Sequence, residues 1–178
     1  MSVVVSPAGP THVEAVAALT QEMDRFYGAT KVEPLDLRLQ QIRDALFVEP
    51  TSARVLLAWD NEQLVGFASY SFLWPAIGLT RSLYLKELYV TETRRQTGAG
   101  KLLMRSILET ALRSGCSRVE WTTDRDNVHA QQFYQVLGVS MNSSKLFYRL
   151  EGKELSLTLR YLASPQLDPA KRANGGEV

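Results

Sequence analysis

Tyr84-Leu85-Lys86-Glu87-Leu88-Tyr89-Val90 runs directly into Thr91-Glu92-Thr93-Arg94-Arg95-Gln96-Thr97-Gly98-Ala99-Gly100-Lys101. The opening residues read as a strand that begins near Ser82, rich in aliphatic and aromatic side chains. A short polar loop and two glycines follow. From Lys101 to Ser114, Leu103, Ile107, Leu108 and Ala111 then recur at helical spacing. That order builds an anion site. The first N–H groups of a helix have no intrahelical partner, and the helix dipole favours negative charge in front of them. Gly98 and Gly100 remove side chains, so a phosphate can approach the backbone. Arg94, Arg95 and Lys101 add positive charge around it.

Three phosphate-loop patterns compete for this segment. A P-loop needs G-x-x-x-x-G-K-[ST]. Gly100-Lys101 suits its end, but Arg95 stands where the first glycine belongs, and Leu102 replaces the hydroxyl that holds magnesium. A dinucleotide fingerprint needs G-x-G-x-x-G, and Leu103 occupies its last position. The pattern R-x-x-G-x-G/A after a strand fits Arg95, Gly98 and Gly100. It resembles the coenzyme A loop of the GNAT superfamily of N-acetyltransferases.

A second block carries the same resemblance. Arg118 to Thr123 reads as a strand, Asp124-Arg125-Asp126-Asn127 breaks it, and His129 to Val136 reads as a short helix ending near Gly138. Asn127, Ala130, Phe133, Tyr134, Leu137 and Gly138 match a pattern that GNAT enzymes commonly carry here. The resemblance covers roughly Val65 to Leu150 and reaches the N-terminal third in outline.

Elsewhere the chain predicts a strand from Ser2 to Ser6 and a T-x-x-E capping box of Thr11 and Glu14. A helix follows to Gly28, and a second runs from Pro34 to Phe47 with Leu35, Leu39, Ile42 and Leu46 on its apolar face. Ala53–Trp59 and Gln63–Leu73 read as a hairpin around Asp60-Asn61-Glu62. Two further strands are expected near Val139–Met141 and Lys145–Leu150, and Leu155–Leu162 suits helix or strand. The tail from Ser164 to Val178 has the composition of a disordered segment. Residues 1–163 are expected to form a single N-acetyltransferase domain.

The 178 residues carry 20 basic and 19 acidic side chains, a net charge of +1. That balance gives no bulk electrostatic reason for nucleic-acid or membrane binding. Met1 to Val5 lacks a basic leader, and no apolar run is long enough to span a membrane. One cysteine, Cys116, excludes an internal disulfide, and a reducing cytoplasm is the expected setting. With His12 and His129 the only histidines, no metal site is expected. The oligomeric state, monomer or homodimer, stays open.

The resemblance implies an α+β GNAT fold: a mixed central β-sheet splayed at the cofactor site, with helices on both faces. It implies acetyl-CoA as cofactor, with pantetheine along the backbone of Leu88 and Val90. Pyrophosphate would lie at Arg95, Gln96, Thr97, Gly98, Ala99, Gly100 and Lys101, with Asn127 nearby. Acetyl transfer to an amine needs a deprotonated amine, a polarised carbonyl and a stabilised thiolate. Tyr134 is the acid candidate, since a phenol has a pKa of about 10, close to a thiol. Glu87 is the base candidate. Strand alternation puts it on one face with Leu83, Leu85 and Tyr89 unless a bulge intervenes. Phe26, Tyr27 and Trp74 are candidate walls of an acceptor pocket for a small-molecule amine. Gly66-Phe67-Ala68, Leu83-Tyr84-Leu85, Trp121 and Phe133-Tyr134 are similar to the diamine (polyamine) acetyltransferase branch. That branch places acidic residues where this chain has Lys86-Glu87. The expectation is an N-acetyltransferase acting on a primary amine. The alternatives are a weakly active acetyl-CoA-binding module or a protein or peptide N-acetyltransferase.

Overall fold

A computed structural model of the chain describes residues 3–164. The strands are β1 (Val3–Pro7), β2 (Arg54–Asp60), β3 (Gln63–Leu73), β4 (Arg81–Val90) and β5 (Cys116–Glu120). The helices are α1 (Val13–Phe26), α2 (Leu35–Phe47), α3 (Ala99–Arg113), α4 (Val128–Val136) and α5 (Lys153–Ala163). The chain divides into two units, Met1–Arg125 and Asp126–Val178. The first holds the sheet with α1, α2 and α3. The second holds α4 and α5.

The sheet runs in chain order, β1-β2-β3-β4-β5. The first three pairings are antiparallel, and β4 with β5 is parallel. Leu57 lies across from Phe67, and Phe67 across from Tyr89. Residues directly opposite share a face, so these three form a row. Val16 and Leu19 of α1 pack against that row. Gly66 belongs to the other face, and a Cβ built there would lie 3.3 Å from Leu103 Cδ1 of α3. Helices therefore cover both faces of the first unit's sheet, and the mixed α+β architecture is the expected one.

Helix α3 is held by one stripe. Ala99, Leu103, Ile107 and Ala111 recur every four residues and are buried, together with Met104. Burying Leu103 and Ile107 stabilises the fold by roughly 1.5–3 kcal/mol each. Leu108 does not join them. It sits one residue past Ile107, about 100° around the helix, and is exposed. On α2, Leu39, Ile42 and Leu46 are partly buried, whereas Leu35 in the first turn is exposed. The α1–α2 contact is made by Arg38. Its guanidinium donates to the Ala17 carbonyl (3.0 Å) and Thr20 Oγ1 (2.9 Å) and pairs with Asp24 (3.1 Å).

Three expectations change. Thr11 does not cap α1: Pro10 fixes φ and starts a 3-10 turn, Pro10–His12, that contains Thr11. The Gly9 amide donates instead to His12 Nδ1 at 2.9 Å, and no side chain caps α1. Residues 139–141 and 145–150 form no strands. Apolar and aromatic composition alone does not make a strand. A ladder partner is needed, and the described sheet ends at β5. The ambiguous Leu155–Leu162 is helical, within α5. The disorder expected of the tail falls, beyond Ser164, on residues outside the described range. No helix among the described residues is long and apolar enough to cross a membrane.

Gly66 marks the tightest strand contact, since its built Cβ would stand 2.7 Å from the Tyr89 carbonyl oxygen. Gly66→Ala is expected to cost roughly 1–3 kcal/mol, measured as a lower denaturant midpoint. An unchanged midpoint would show that β3 and β4 separate there without cost.

Candidate active site

β4 pairs with β3 up to Gly66↔Val90. Its pairing with β5 covers only Arg81↔Cys116 to Tyr84↔Glu120. From Leu85 to Val90, which includes Leu88, that edge of β4 has no β5 partner. Backbone groups on such an edge need other partners. The Val90 carbonyl has one already, Arg95 Nε at 3.2 Å.

The chain after β4 is shaped by its own hydrogen bonds. The Thr91 amide donates to the Val65 carbonyl at 2.9 Å, and Thr97 Oγ1 donates to the Arg94 carbonyl at 2.7 Å. Gln96 and Gly98 adopt left-handed backbone, with φ of 63° and 94°. Only at Gly98 is that cheap. Gly98 is the N-cap of α3 and offers no side chain, and the Leu102 amide bonds its carbonyl at 3.0 Å. The N–H groups of Ala99, Gly100 and Lys101 precede that bond, at the positive end of the helix. Ala99 is buried, so its part in any anion site is backbone only. Lys101 is exposed at the same helix end. This arrangement fits a phosphate-bearing group.

Two of the three cations expected at the loop are engaged elsewhere. Arg94 Nη1 pairs with Asp60 Oδ2 at 2.9 Å, and Asp60 is buried, so Arg94 balances a core charge. The Arg95 guanidinium lies 4.1 Å above the Phe26 ring and 5.9 Å from that of Tyr89. Phe26 in turn meets Tyr27 at 5.3 Å and Tyr89 at 6.0 Å between ring centres.

The expected alternation along β4 fails at Lys86. Ser69 pairs with Glu87 and Tyr70 with Leu85, which leaves Lys86 as the extra residue of a bulge. Leu83 and Leu85 therefore keep the α3 face, while Glu87 and Tyr89 take the α1 face. Glu87 comes beside Tyr27, whose phenol is pushed up by burial first and by the Glu87 charge second, against a lowering pull from Arg95. Lys86 Nζ lies 3.4 Å from Glu87 Oε1; the two side chains are 64% and 33% exposed. Tyr89 donates its phenol proton to Glu22 Oε1 at 2.9 Å. Burial, then that bond, push the Tyr89 phenol up to about 12. Neither Arg95 on Phe26 nor Tyr89 on Glu22 follows from the sequence. Each joins residues too far apart for any local pattern, although Phe26 and Tyr27 mark the place.

Trp74 is not brought to this cluster. It follows β3, five residues beyond Ser69, about 17 Å away by strand rise. There Trp74 Nε1 donates to the Leu79 carbonyl at 3.1 Å. It helps line an open groove of about 620 Å³ with Phe72, Leu73, Leu79, Thr80 and Arg81.

The acetyltransferase (GNAT) family model matches residues 16–139, most of the chain. The chain belongs to the GNAT family. Among GNAT relatives, a D-amino-acid N-acetyltransferase of Saccharomyces cerevisiae is 32% identical, over 61% of this chain and 68% of that protein. An L-ornithine N5-acetyltransferase of Arabidopsis thaliana is 29% identical over 52% of this chain, which spans only 40% of that relative's length. A thialysine N-epsilon-acetyltransferase of Mus musculus is 25% identical over 75% of this chain and 82% of its own. An integron cassette protein from the mobile metagenome of V. cholerae superposes with a TM-score of 0.83 at 28% identity, covering 90% of this chain and 99% of that one. The aminoglycoside N-acetyltransferase AAC(6')-Iy in complex with CoA shares the GNAT fold, at a TM-score of 0.68 and 21% identity.

The remaining GNAT-motif residues lie in the second unit. Asn127 is the N-cap of α4, and its Oδ1 accepts from the Ala130 amide at 3.0 Å. That bond starts the helix on which Tyr134 sits. Tyr134 is half-buried, its ring 5.3 Å from that of Phe133.

Gly100→Val places a branched side chain among the free amides of α3. The variant is expected to raise the dissociation constant for coenzyme A at least about tenfold, 1.4 kcal/mol, by calorimetry. An unchanged constant in a folded variant would remove this loop from cofactor binding.

Proposed function

We propose that this GNAT protein is a cytoplasmic N-acetyltransferase, with residues 1–163 as its catalytic domain. It would move an acetyl group from acetyl-CoA to a primary amine of a small molecule by direct attack. One observation carries the reading. The bare edge of β4 is followed along the chain by the open amides of α3, and the same strand holds Glu87 beside Tyr27. The backbone of Leu88 and Val90, the loop from Arg95 to Lys101, and Asn127 would hold the cofactor. Bound acetyl-CoA supplies the activated acyl group. Glu87 accepts the proton that the acceptor's ammonium must lose, and Tyr134 gives a proton to the departing sulfur. No covalent enzyme intermediate is required.

The acceptor we propose is an amine of low net charge, of the amino-acid type. Three relatives carry names for acetylation of ornithine, D-amino acids and thialysine. Lys86 and Glu87 offer one charge of each sign, which suits a substrate bearing both a carboxylate and an ammonium. A polycation meets Lys86 unfavourably. Two like charges at 4 Å and an effective dielectric near 20 repel by about 4 kcal/mol before salt screening.

Two measurements test this. Thiol release across a panel of amines is expected to show amino-acid amines above spermidine, with Lys86→Glu shifting the preference toward polyamines. Efficient spermidine turnover by the wild type would overturn the acceptor class. Tyr134→Phe is expected to lower turnover by about 10²–10⁴-fold with coenzyme A affinity unchanged. A loss within about threefold, with chemistry limiting, would take the acid role from Tyr134.

A further inference from the structure

We infer that Lys86 is itself an acetyl acceptor: the chain acetylates its own Lys86 when no external amine fills the site. The inference rests on the proposed acetyl transfer. Lys86 is a primary amine at the one bulged position of β4, and its ammonium already lies 3.4 Å from the carboxylate assigned as base. A bulge re-aims a side chain out of the ladder, and such bulges recur beside active sites. The side chain is 64% exposed, on a flexible four-carbon stem. Leu88, on the edge assigned to the cofactor, is two strand residues away, about 7 Å. The geometry therefore presents Glu87 with an internal ammonium within reach of the carboxylate.

The step balances without any further reagent. The Lys86 ammonium loses one proton to Glu87. The neutral nitrogen forms a bond to the acetyl carbonyl carbon of acetyl-CoA, and the carbon–sulfur bond breaks. The nitrogen sheds its remaining extra proton, and the thiolate leaves as coenzyme A thiol. One Nε-acetyl-lysine and one coenzyme A result. Acetylation removes the lysine charge, so Glu87 is left without its ammonium partner. The modified chain then presents net negative charge at this point of β4 and accepts cationic amines more readily.

The test uses the full chain and acetyl-CoA labelled in the acetyl group, with peptide mass mapping over time. Without an acceptor, Lys86 is expected to gain one label at least about tenfold faster than the exposed Lys31, Lys101, Lys145 and Lys153 of the same chain. Its rate should be independent of protein concentration, and an added amino-acid amine should slow it. Glu87→Gln should slow labelling of Lys86 by at least about 10²-fold and leave the other lysines unchanged. Lys86→Arg should abolish the fast label. Labelling of Lys86 no faster than the other lysines, in a preparation that acetylates an amine of the panel, overturns this inference alone. Fast labelling of Lys86 with no external amine accepted supports it and overturns the proposed acceptor. Failure of both removes the transferase reading and this inference together.

Discussion

β4 has two neighbours but shares its full length with only one. Its parallel partner β5 stops at Glu120, opposite Tyr84, while β3 continues to Val90. An unpaired row of amides and carbonyls in mid-sheet is costly if buried and hazardous if exposed, because it invites another strand. Here the bare stretch is short, and the chain leaving it reaches α3 through the turn and loop of residues 91–98. The first amides of α3 are unpaired as well. The unit thus carries two sets of open backbone groups, one along β4 past the end of β5 and one at the start of α3. The bulge at Lys86 and the contacts of Arg95 are arranged on that stretch.

The loop's electrostatics rest on the backbone more than on side chains. Arg94 looks like part of a basic cluster, yet its charge is matched by buried Asp60. Removing one partner of such a pair leaves an uncompensated charge. Arg94 therefore anchors the turn after β4 to the end of β2. What remains for an anion is the set of amides at Ala99, Gly100 and Lys101, with the exposed Lys101 ammonium. Fixed amides need no ordering when a ligand arrives, which is why a glycine-flanked helix end serves better here than a ring of mobile lysines.

The elements that were legible in the sequence are those specified locally. The β2–β3 hairpin around Asp60-Asn61-Glu62, the strand β4 and the stripe of α3 follow from alternation, turn residues and helical spacing. The loop from Arg95 to Lys101 was legible because its glycines, its strand and its helix are contiguous. What escaped depends on partners distant in the chain. The bulge at Lys86 exists only against Ser69 and Tyr70, and it moves Glu87 to the other face from the one alternation implied. Residues 145–150 have the aromatic and apolar composition of a strand, but composition cannot supply a neighbouring edge. Tyr27 comes beside Glu87, and Phe26 beside Tyr89, because α1 packs on the row of Phe67 and Tyr89. Trp74 does not, because it lies past the far end of the hairpin.

Tyr89 and Arg95 tie β4 and the loop after it to the end of α1. The Tyr89 phenol holds Glu22, and its raised pKa keeps it protonated, and therefore a donor, across the neutral range. The stability that burial of the phenol, and then this bond, link to its protonation is complete below pH 10 and fades as pH rises toward 12. Arg95 leans on Phe26, one residue before Tyr27, and bonds the Val90 carbonyl. An exposed cation–π contact is worth roughly 0.5–1 kcal/mol, and a hydrogen bond from a charged group roughly 1.5–3. A phosphate offering charge-assisted, bidentate bonds competes well with the first of these and less well with the second. An anion at the loop would therefore loosen Arg95 from Phe26 before it loosened Arg95 from Val90. The helix end carrying Tyr27 would lose its contact with the loop while Tyr89 still held it to the strand. Arg95 and the Phe26 ring thus join the loop in front of α3 to the end of α1, on the strand face that holds Glu87.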